Sequence, residues 1–281
     1  MKYYFQLGKR LIKLNLDYVR ILRDIHYATV PLLKKYMINY SEFNDHSYTH
    51  TERVIANSDN LVAQNLRRLN VDEIFIYLIA CYFHDTGMGI NDEFYDKYAE
   101  EVLADLDTKN MSKKEIIRKY HNEFSAKILE MLQPKINNLP KEISDAARIL
   151  CKGHRNYDLF DTNKFPKEIM LSNGSVVHIA YLTGLLRFAD HMDLTRTRTK
   201  NIYYVDDDKF LEGYVNASNK INSVKYLDDK IVVNISEYPK MDYGFNHFID
   251  EIYDEFIDFK NIVKTRTDFI VFHENIIFNV V

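Results

Sequence analysis

Residues 74–89 read IFIYLIACYFHDTGMG, an uninterrupted apolar run that ends in a His-Asp doublet and two glycines. The apolar part, Ile74 to Phe83, is about half the length of roughly 20 residues that a membrane-crossing helix needs, so it predicts a buried core helix. Adjacent helical residues point about 100° apart, so His84 and Asp85 can reach one ion only near the helix end. The glycines let the backbone turn away there. A buried imidazole and carboxylate in that place would be costly without a partner.

Apolar residues recur at helical spacing on both sides of this run, from the N-terminus to about Lys200. Pro134 and Pro140 mark two of the breaks between helices. Besides the run itself and a segment after His50, the expected helices cover residues 10–38, 97–106, 112–119, 122–133, 142–151 and 176–192. The pattern predicts a stack of helices.

The sequence pattern changes after Lys200 from helical periodicity to short β-rich runs. Short β-rich runs occur at Ile202–Val205, Ser223–Leu227 and Lys230–Ile235, and strand-like composition returns from Asp268 to Val281. Between them, Phe245 to Ile262 keeps a helical apolar stripe. We therefore predict a mainly α protein: a helical bundle over residues 1–200 with a small C-terminal α+β extension over 201–281 packed on it.

The composition of the chain indicates which kinds of molecule it can bind. The chain has 281 residues, 46% of them hydrophobic and 28% charged, which is typical of a globular protein. A net charge of −4 gives no general attraction to nucleic acid or to an anionic membrane, so a small phosphorylated substrate is favoured. Cys81 and Cys151 are predicted to be buried free thiols, and the first 16 residues resemble neither a signal peptide nor an anchor. A cytoplasmic protein is expected, with self-association left open.

Four histidines and two aspartates form a spaced series along the helical region. Successive members stand 33 to 36 residues apart, roughly a helix, its connection and the next helix. Each can therefore come from a different element and still converge on one bundle centre, as a metal ion requires. The series is His50, His84-Asp85, His121, His154 and Asp190.

The segments around these residues resemble the HD superfamily of metal-dependent phosphohydrolases, over at least residues 40–200. Residues 45–54 resemble the helix that supplies the first histidine, residues 83–87 the central His-Asp doublet, and residues 185–193 the helix with the final aspartate. The resemblance implies that His50, His84, Asp85 and Asp190 gather one catalytic metal ion. The extension is similar to the segment C-terminal to the core in the subgroup found beside chaperone-type ATPase domains.

The two remaining histidines of the series are similar to the extra histidines of family members that hold two metals or bind the phosphate. His121 and His154 therefore join Asp85 as candidate catalytic residues, either ligating a second ion or acting on the phosphate as protonated donors. By analogy, Asp85 orients the attacking water. A cap or a solvated side chain is the structural alternative for both histidines.

A ligand set of imidazoles and carboxylates suits manganese, iron, cobalt, nickel or magnesium better than a structural zinc site. We expect one or two divalent ions per chain. Arg198 and Lys200 after the last aspartate, and Arg155 beside His154, are candidate phosphate-binding cations, with a solvated helix end as the alternative. His46 is either a partner of His50 or a surface or capping residue.

These observations predict a phosphohydrolase that cleaves an ester or anhydride, in a nucleotide-like substrate, with a metal-activated water. One alternative is a regulatory module that binds metal and nucleotide without turnover. The other is a single-strand nuclease, which the acidic balance disfavours. No dinucleotide-binding or P-loop glycine pattern occurs, and the paired cysteines of zinc deaminases are absent.

Overall fold

A computed structural model describes residues 5–39, 46–155, 157–194, 218–237, 243–271 and 273–281. Its α-helices are α1 (Gln6–Leu14), α2 (Leu16–Asn39), α3 (Tyr48–Leu61), α4 (Val71–Phe83), α5 (Asp92–Val102), α6 (Lys113–Leu132), α7 (Lys141–Gly153), α8 (Ile179–His191) and α9 (Tyr243–Arg266). Short 3-10 helices lie at Thr86–Gly89 and Gln133–Lys135. The strands are β1 (Ile169–Met170), β2 (Val176–Val177), β3 (Ile221–Tyr226), β4 (Lys230–Ile235) and β5 (Asn275–Val280).

Helix α4 is the centre of the bundle, as its apolar sequence predicts. Every residue from Asp72 to Phe83 is buried, and α1, α2, α3, α6, α7 and α8 all pack against it. The helix begins with a capping box, in which the Asn70 side chain accepts from the N–H of Glu73 and the Glu73 carboxylate accepts from the N–H of Asn70. This fixes the start of the helix, and therefore where His84 and Asp85 emerge at its end.

The C-terminal extension contains a three-stranded sheet and one long helix. Strands β3 and β4 pair antiparallel and β5 pairs parallel to β4, so the order is β3-β4-β5. Helix α9 packs on α8, and its predicted apolar stripe is buried. Arg187 of α8 and Glu255 of α9 form an ion pair at 2.6 Å across that contact. The mainly α fold with a small α+β extension is confirmed.

Several predicted boundaries differ from the structure for local reasons. The single helix expected over 10–38 is broken at Asn15, whose Oδ1 accepts from the N–H groups of Asp17 and Tyr18 and so starts a new helix. The two helices expected at 112–119 and 122–133 join in α6, and the break expected between them is present as a kink with non-helical dihedrals at Tyr120 (φ −118°, ψ 21°). Helix α5 begins earlier than expected, at Asp92. Val176–Val177 forms a strand with Ile169–Met170 rather than the first turn of α8.

Two further predictions concern the cysteines and the domain boundary. Cys81 and Cys151 are both buried and free, as predicted. The strand expected at Ile202–Val205 lies outside the described residues. The division at residue 200 stays a prediction.

None of the described helices is both long and apolar enough to cross a membrane.

Candidate metal centre

Six buried side chains from five parts of the bundle converge on one point. They are His50 in α3, His84 and Asp85 directly after α4, His121 in α6, His154 directly after α7, and Asp190 in α8. All six were candidate metal residues in the sequence. The structure brings every one of them together, around the end of α4.

The first group of ligand atoms contains His50, His84 and Asp85. The Nε2 atoms of both histidines lie 3.2 Å from Asp85 Oδ2. Asp190 joins this group, because its Oδ1 lies 3.0 Å from the Nε2 of His50. One ligand atom from each of the first three residues falls within 4.8 Å of the others, close enough to hold one ion.

The second group contains Asp85, His121 and His154. Here the other carboxylate oxygen, Asp85 Oδ1, lies 3.3 Å from the Nε2 of His121 and 3.7 Å from that of His154. These three residues also offer ligand atoms within 4.8 Å of one another. Asp85 is therefore common to both groups, with one oxygen facing each pair of histidines.

The histidine rings are oriented by hydrogen bonds on the nitrogen that faces away from the centre. In His84, His121 and His154, Nδ1 donates to the carbonyl oxygen three residues earlier, at 2.9, 2.8 and 2.6 Å. A carbonyl oxygen can only accept, so Nδ1 carries the proton and the neutral ring keeps its lone pair on Nε2. Each of these rings thus presents a metal-ligating nitrogen to the centre.

Those lone pairs face one another, which favours a cation between them. The Nε2 atoms of His50 and His84 are 3.3 Å apart, and those of His121 and His154 are 3.2 Å apart. Two neutral imidazoles cannot form a hydrogen bond in this arrangement. Adjacent ligand atoms held at about 2.0–2.1 Å from one ion stand roughly 3.0–3.4 Å apart, which matches these separations. Asp85 Oδ2 is buried and accepts no hydrogen bond from the residues that the structure describes, so it too fits a cation.

The protonation states also suit metal binding. Burial alone would raise the pKa of Asp85, but the charges of the neighbouring His84 and His46 and the close contacts with His121 and His154 hold it well below its usual range. Burial lowers the pKa of His154 to about 4, against the opposing effect of Asp85. The carboxylate is therefore ionised and the imidazole neutral at pH 7, and these are the forms that ligate metals.

His50 differs from the other histidines because a carboxylate holds its outer nitrogen. Its Nδ1 lies 2.7 Å from Asp193 Oδ2, and the Nε of Arg53 lies 2.8 Å from Asp193 Oδ1. Asp193 is fully buried within this chain of contacts. Neither Asp193 nor Arg53 was predicted from the sequence to support the site. A signal was present for Arg53, which stands three residues after His50 on α3 and so shares its helix face, whereas Asp193 stands three residues after Asp190 but beyond the end of α8.

His46 lies beside both groups. Its ring centroid is 6.0 Å from that of His50 and 5.9 Å from that of His121, and it is half-buried. Of the two interpretations that the sequence left open, the position close to His50 is the one that the structure supports.

The turn after α4 is fixed tightly against α6. Ser125 Oγ donates to the carbonyl of His84 at 2.7 Å and accepts from the N–H of Gly87 at 2.8 Å. A Cβ atom on Gly87 would lie 2.1 Å from the carbonyl oxygen of His121, so only glycine permits this approach. The contact sets the distance between the two histidine pairs, because α4 carries one member of the first and α6 one member of the second.

The predicted phosphate-binding cations have different outcomes. Arg155 is half-buried and, within the part of the chain that the structure describes, forms no hydrogen bond or ion pair. The neighbouring Lys152 is paired with Glu123 at 2.9 Å, and Glu123 also accepts from the hydroxyl of Tyr157 at 2.6 Å. Arg198 and Lys200 lie outside the described residues.

Comparison with known proteins gives one finding. No curated protein and no solved structure matches the chain. The sequence does match the HD-CE family over residues 40–207. That match spans more than half of the chain and includes all six residues of the candidate metal centre. The resemblance to HD-type domains is therefore confirmed, and the chain belongs to the HD-CE family.

Proposed function

We propose that this chain is a metal-dependent phosphohydrolase, which cleaves a phosphate ester or anhydride in a small, nucleotide-like substrate. The observation that supports this most is the shared carboxylate: Asp85 directs Oδ2 to one pair of histidines and Oδ1 to another. Two-metal hydrolases place their ions about 3.5–4 Å apart, which a bridging carboxylate permits. The HD-type domain is compatible with this chemistry.

We propose two divalent ions per chain, from manganese, iron, cobalt, nickel and magnesium. His50, His84, Asp85 and Asp190 would hold the first, and Asp85, His121 and His154 the second. When bound, such ions lower the pKa of a water molecule and stabilise negative charge on a phosphoryl group. The mixed nitrogen and oxygen ligands favour these metals over a closed zinc site.

The remaining steps fall to side chains of this chain. Asp85, ionised and buried between the groups, is placed to orient the attacking water. Arg155 has its guanidinium free of other described partners, so it can bind a phosphate oxygen. His46 lies beside one histidine of each group, and its imidazole can donate a proton to the leaving oxygen near neutral pH.

Hydrolysis of a substrate panel tests the proposal. Nucleoside mono-, di- and triphosphates, an aryl phosphodiester and single-stranded DNA and RNA should be incubated with the purified chain and each of the metals. We expect release of phosphate or nucleoside product from a small nucleotide, with loss of turnover in the His84→Ala/Asp85→Ala variant. His247→Ala is the matched control, because this partly exposed histidine lies on α9, which carries none of the six candidate ligands.

The other outcomes of that panel identify the alternatives. Metal-dependent nucleotide binding without product would identify a regulatory module. Cleavage of the single strands alone would identify a nuclease. Wild-type turnover in the double variant, after chelation and re-metallation, would contradict the metal mechanism itself.

Metal stoichiometry tests the second ion separately. Elemental analysis of the metal-saturated chain should approach two ions, and His121→Ala/His154→Ala should approach one while the group at His50 keeps its ion. If that variant retains every ion and loses only turnover, the two histidines act on the phosphate directly and the site holds one metal.

The proposed role of His46 as a proton donor is tested by comparing substrates whose leaving groups differ in their need for a proton. A nitrophenolate leaves without help from an acid, whereas a nucleoside alkoxide needs a proton. His46→Ala should therefore slow cleavage of an alkyl phosphate by about 10²–10⁴-fold and of a nitrophenyl phosphate far less. Equal losses with both substrates would assign His46 to packing or metal support.

A further inference from the structure

The second pair of histidines stands where two helices meet. His121 lies in α6 and His154 directly follows α7, and their Nε2 atoms are 3.2 Å apart. Adjacent ligand atoms around one ion need nearly this separation, so a shift of about 0.5 Å between the helices would disturb the group. The end of α7 must therefore be fixed against α6 for a second ion to bind.

Two consecutive residues of α6 hold the segment around His154. Asn122 Nδ2 donates to the carbonyl oxygen of Lys152 at 2.8 Å, which satisfies one of the last four carbonyl groups of α7, groups that have no partner within a helix. Glu123 pairs through Oε2 with the Nζ of Lys152 at 2.9 Å and accepts through Oε1 from the Tyr157 hydroxyl at 2.6 Å. These contacts fall on both sides of His154 in the sequence.

Glu123 is not placed as a metal ligand itself. Residues two apart in a helix point about 200° from each other, so Glu123 is directed away from the ligand atom that His121 presents. Among the described residues, neither group of ligand atoms includes it. Its carboxylate is 5% exposed, and losing either partner would leave a buried oxygen unsatisfied. Such a carboxylate fixes the distance between the segments that it joins.

Tyr157, the partner of Glu123 beyond His154, is itself held by other elements. The Nη1 of Arg187 in α8 donates to the carbonyl oxygen of Tyr157 at 2.7 Å, and Arg187 pairs with Glu255 of α9 at 2.6 Å. The Tyr157 ring packs edge-on against Phe165, with centroids 5.8 Å apart. Because the backbone and the ring of Tyr157 are both fixed, its hydroxyl gives Glu123 a fixed point to bind.

We infer that Glu123 is a positioning residue: through Lys152 and Tyr157 it fixes the end of α7 against α6 and so sets the affinity for the second ion. The inference rests on the two-ion centre proposed above, and it gives a role there to a side chain that touches neither ion nor substrate. Residues that orient a metal-ligating histidine typically contribute about 10–100-fold to metal affinity. The effect here falls on the second ion alone, because none of these contacts reaches α3.

Calorimetric titration of the apo chain with manganese tests the inference. Tyr157→Phe removes one hydroxyl and keeps the ring, so the first ion should bind with native affinity and the second about 10-fold or more weakly. Glu123→Ala should show the same difference more strongly. Glu123→Gln still accepts from the Tyr157 hydroxyl and should recover part of the loss. A merely structural role would lower the melting temperature without separating the two affinities.

The ion pair of Glu130 with Arg148 provides the matched control. It also joins α6 to α7, at 2.6 Å, but Glu130 stands about 13 Å along the helix from His121. Glu130→Gln should lower the melting temperature of the apo chain and leave both metal affinities native.

Two outcomes overturn the inference alone. In one, Tyr157→Phe and Glu123→Ala bind the second ion as tightly as the native chain does. In the other, Glu130→Gln weakens the second ion as much as they do, which would assign the effect to general loosening between α6 and α7. A native chain that binds a single ion would contradict the two-ion centre itself, and this inference with it.

Discussion

The Asp193 carboxylate determines which nitrogen of His50 faces the metal centre. Its Oδ2 lies 2.7 Å from Nδ1 of His50, and the Nε of Arg53 contacts its other oxygen. Asp193→Asn removes the charge while preserving the shape. We expect metal affinity to fall about 10–100-fold, as is usual when the partner of a ligating histidine is changed. Titration of the apo chain with manganese measures this without reference to turnover.

Asp59 provides the matched control for that variant. Asp59 is a half-buried carboxylate on α3 that accepts from the N–H groups of Gln6 and Leu7 in α1, not from a histidine of the candidate centre. Asp59→Asn should weaken the docking of α1 and lower the melting temperature with metal affinity unchanged. If both variants lose affinity equally, the effect of Asp193 is a general loss of stability rather than orientation of His50.

The sequence indicated the six residues of the candidate metal centre more directly than the residues that contact them. His50, His84, Asp85, His121, His154 and Asp190 were named because their spacing and flanking segments resemble a known family. Asp193 and Arg53 were not, because their contact joins α3 to α8 across 140 residues of sequence. A local pattern does not report which helices meet. Likewise, the sequence could not show whether Arg155 or Lys152 pairs with Glu123. The packing of the helices decides this, and Lys152 forms the pair.

At the scale of elements, two glycines in the turn after α4 each allow a different helix to approach the turn closely. A Cβ atom on Gly87 would lie 2.1 Å from the His121 carbonyl in α6, and one on Gly89 would lie 2.1 Å from the Leu32 carbonyl in α2. Gly87→Ala must push α6 away from the centre, and with it His121. We expect the second ion to be lost and stability to fall by about 1–3 kcal/mol.

Gly89→Ala is the control, since α2 carries none of the six candidate ligands. It should lower stability by a similar amount while elemental analysis still gives the native metal content. Loss of the same ion in both variants would show that the turn as a whole, rather than the approach of α6, sets the second group.

A partly buried ion pair joins the start of α4 to the start of α8. His178 Nδ1 lies 2.7 Å from Glu73 Oε1, and this hydrogen bond raises the pKa of His178 although burial opposes it. The pair therefore stabilises the folded state fully below about pH 6.5, the usual value for histidine. Its contribution is lost as pH rises through the raised pKa.

Denaturant unfolding at a series of pH values should show this fall in the free energy of unfolding. His178→Gln keeps a donor for Glu73 but cannot titrate, so its stability should change less across the same window. A native curve that is flat, or that rises above pH 6.5, would contradict the assignment.

Most elements were predictable because their causes are local. The apolar run of α4 and the amphipathic stripe of α9 both appear as expected. The break at Asn15 had a local cause too, a capping side chain that the periodicity concealed. The parallel pairing of β5 with β4 has no such signal, because it joins segments that are distant in sequence.

At the scale of the whole molecule, the C-terminal helix covers part of the core. Helix α9 buries Phe256, Phe259 and Ile262 against α8, and Gly184 in α8 leaves room for Ile262. Removing residues 201–281 would expose that apolar face and leave Arg187 without Glu255. We expect the 1–200 fragment to aggregate. Light scattering after size exclusion measures this.

A monodisperse fragment that binds metal would show instead that the extension is an independent module. The sequence showed a change from helical to strand-like patterns near Lys200, but it did not show how much surface the helical bundle and the extension bury against each other. The structure shows this through α8, a helix that is apolar on nearly all sides and so needs neighbours on each of them.

The carboxylate that both histidine pairs share makes the two candidate sites thermodynamically linked. If both sites use Asp85, an ion bound through Oδ2 would withdraw electron density from Oδ1, so filling one site would change the affinity of the other by the same factor in each direction. Occupancy will then not follow the sum of two independent isotherms. A cell that varies the supply of one metal would, through this single residue, also vary the protein's retention of the other.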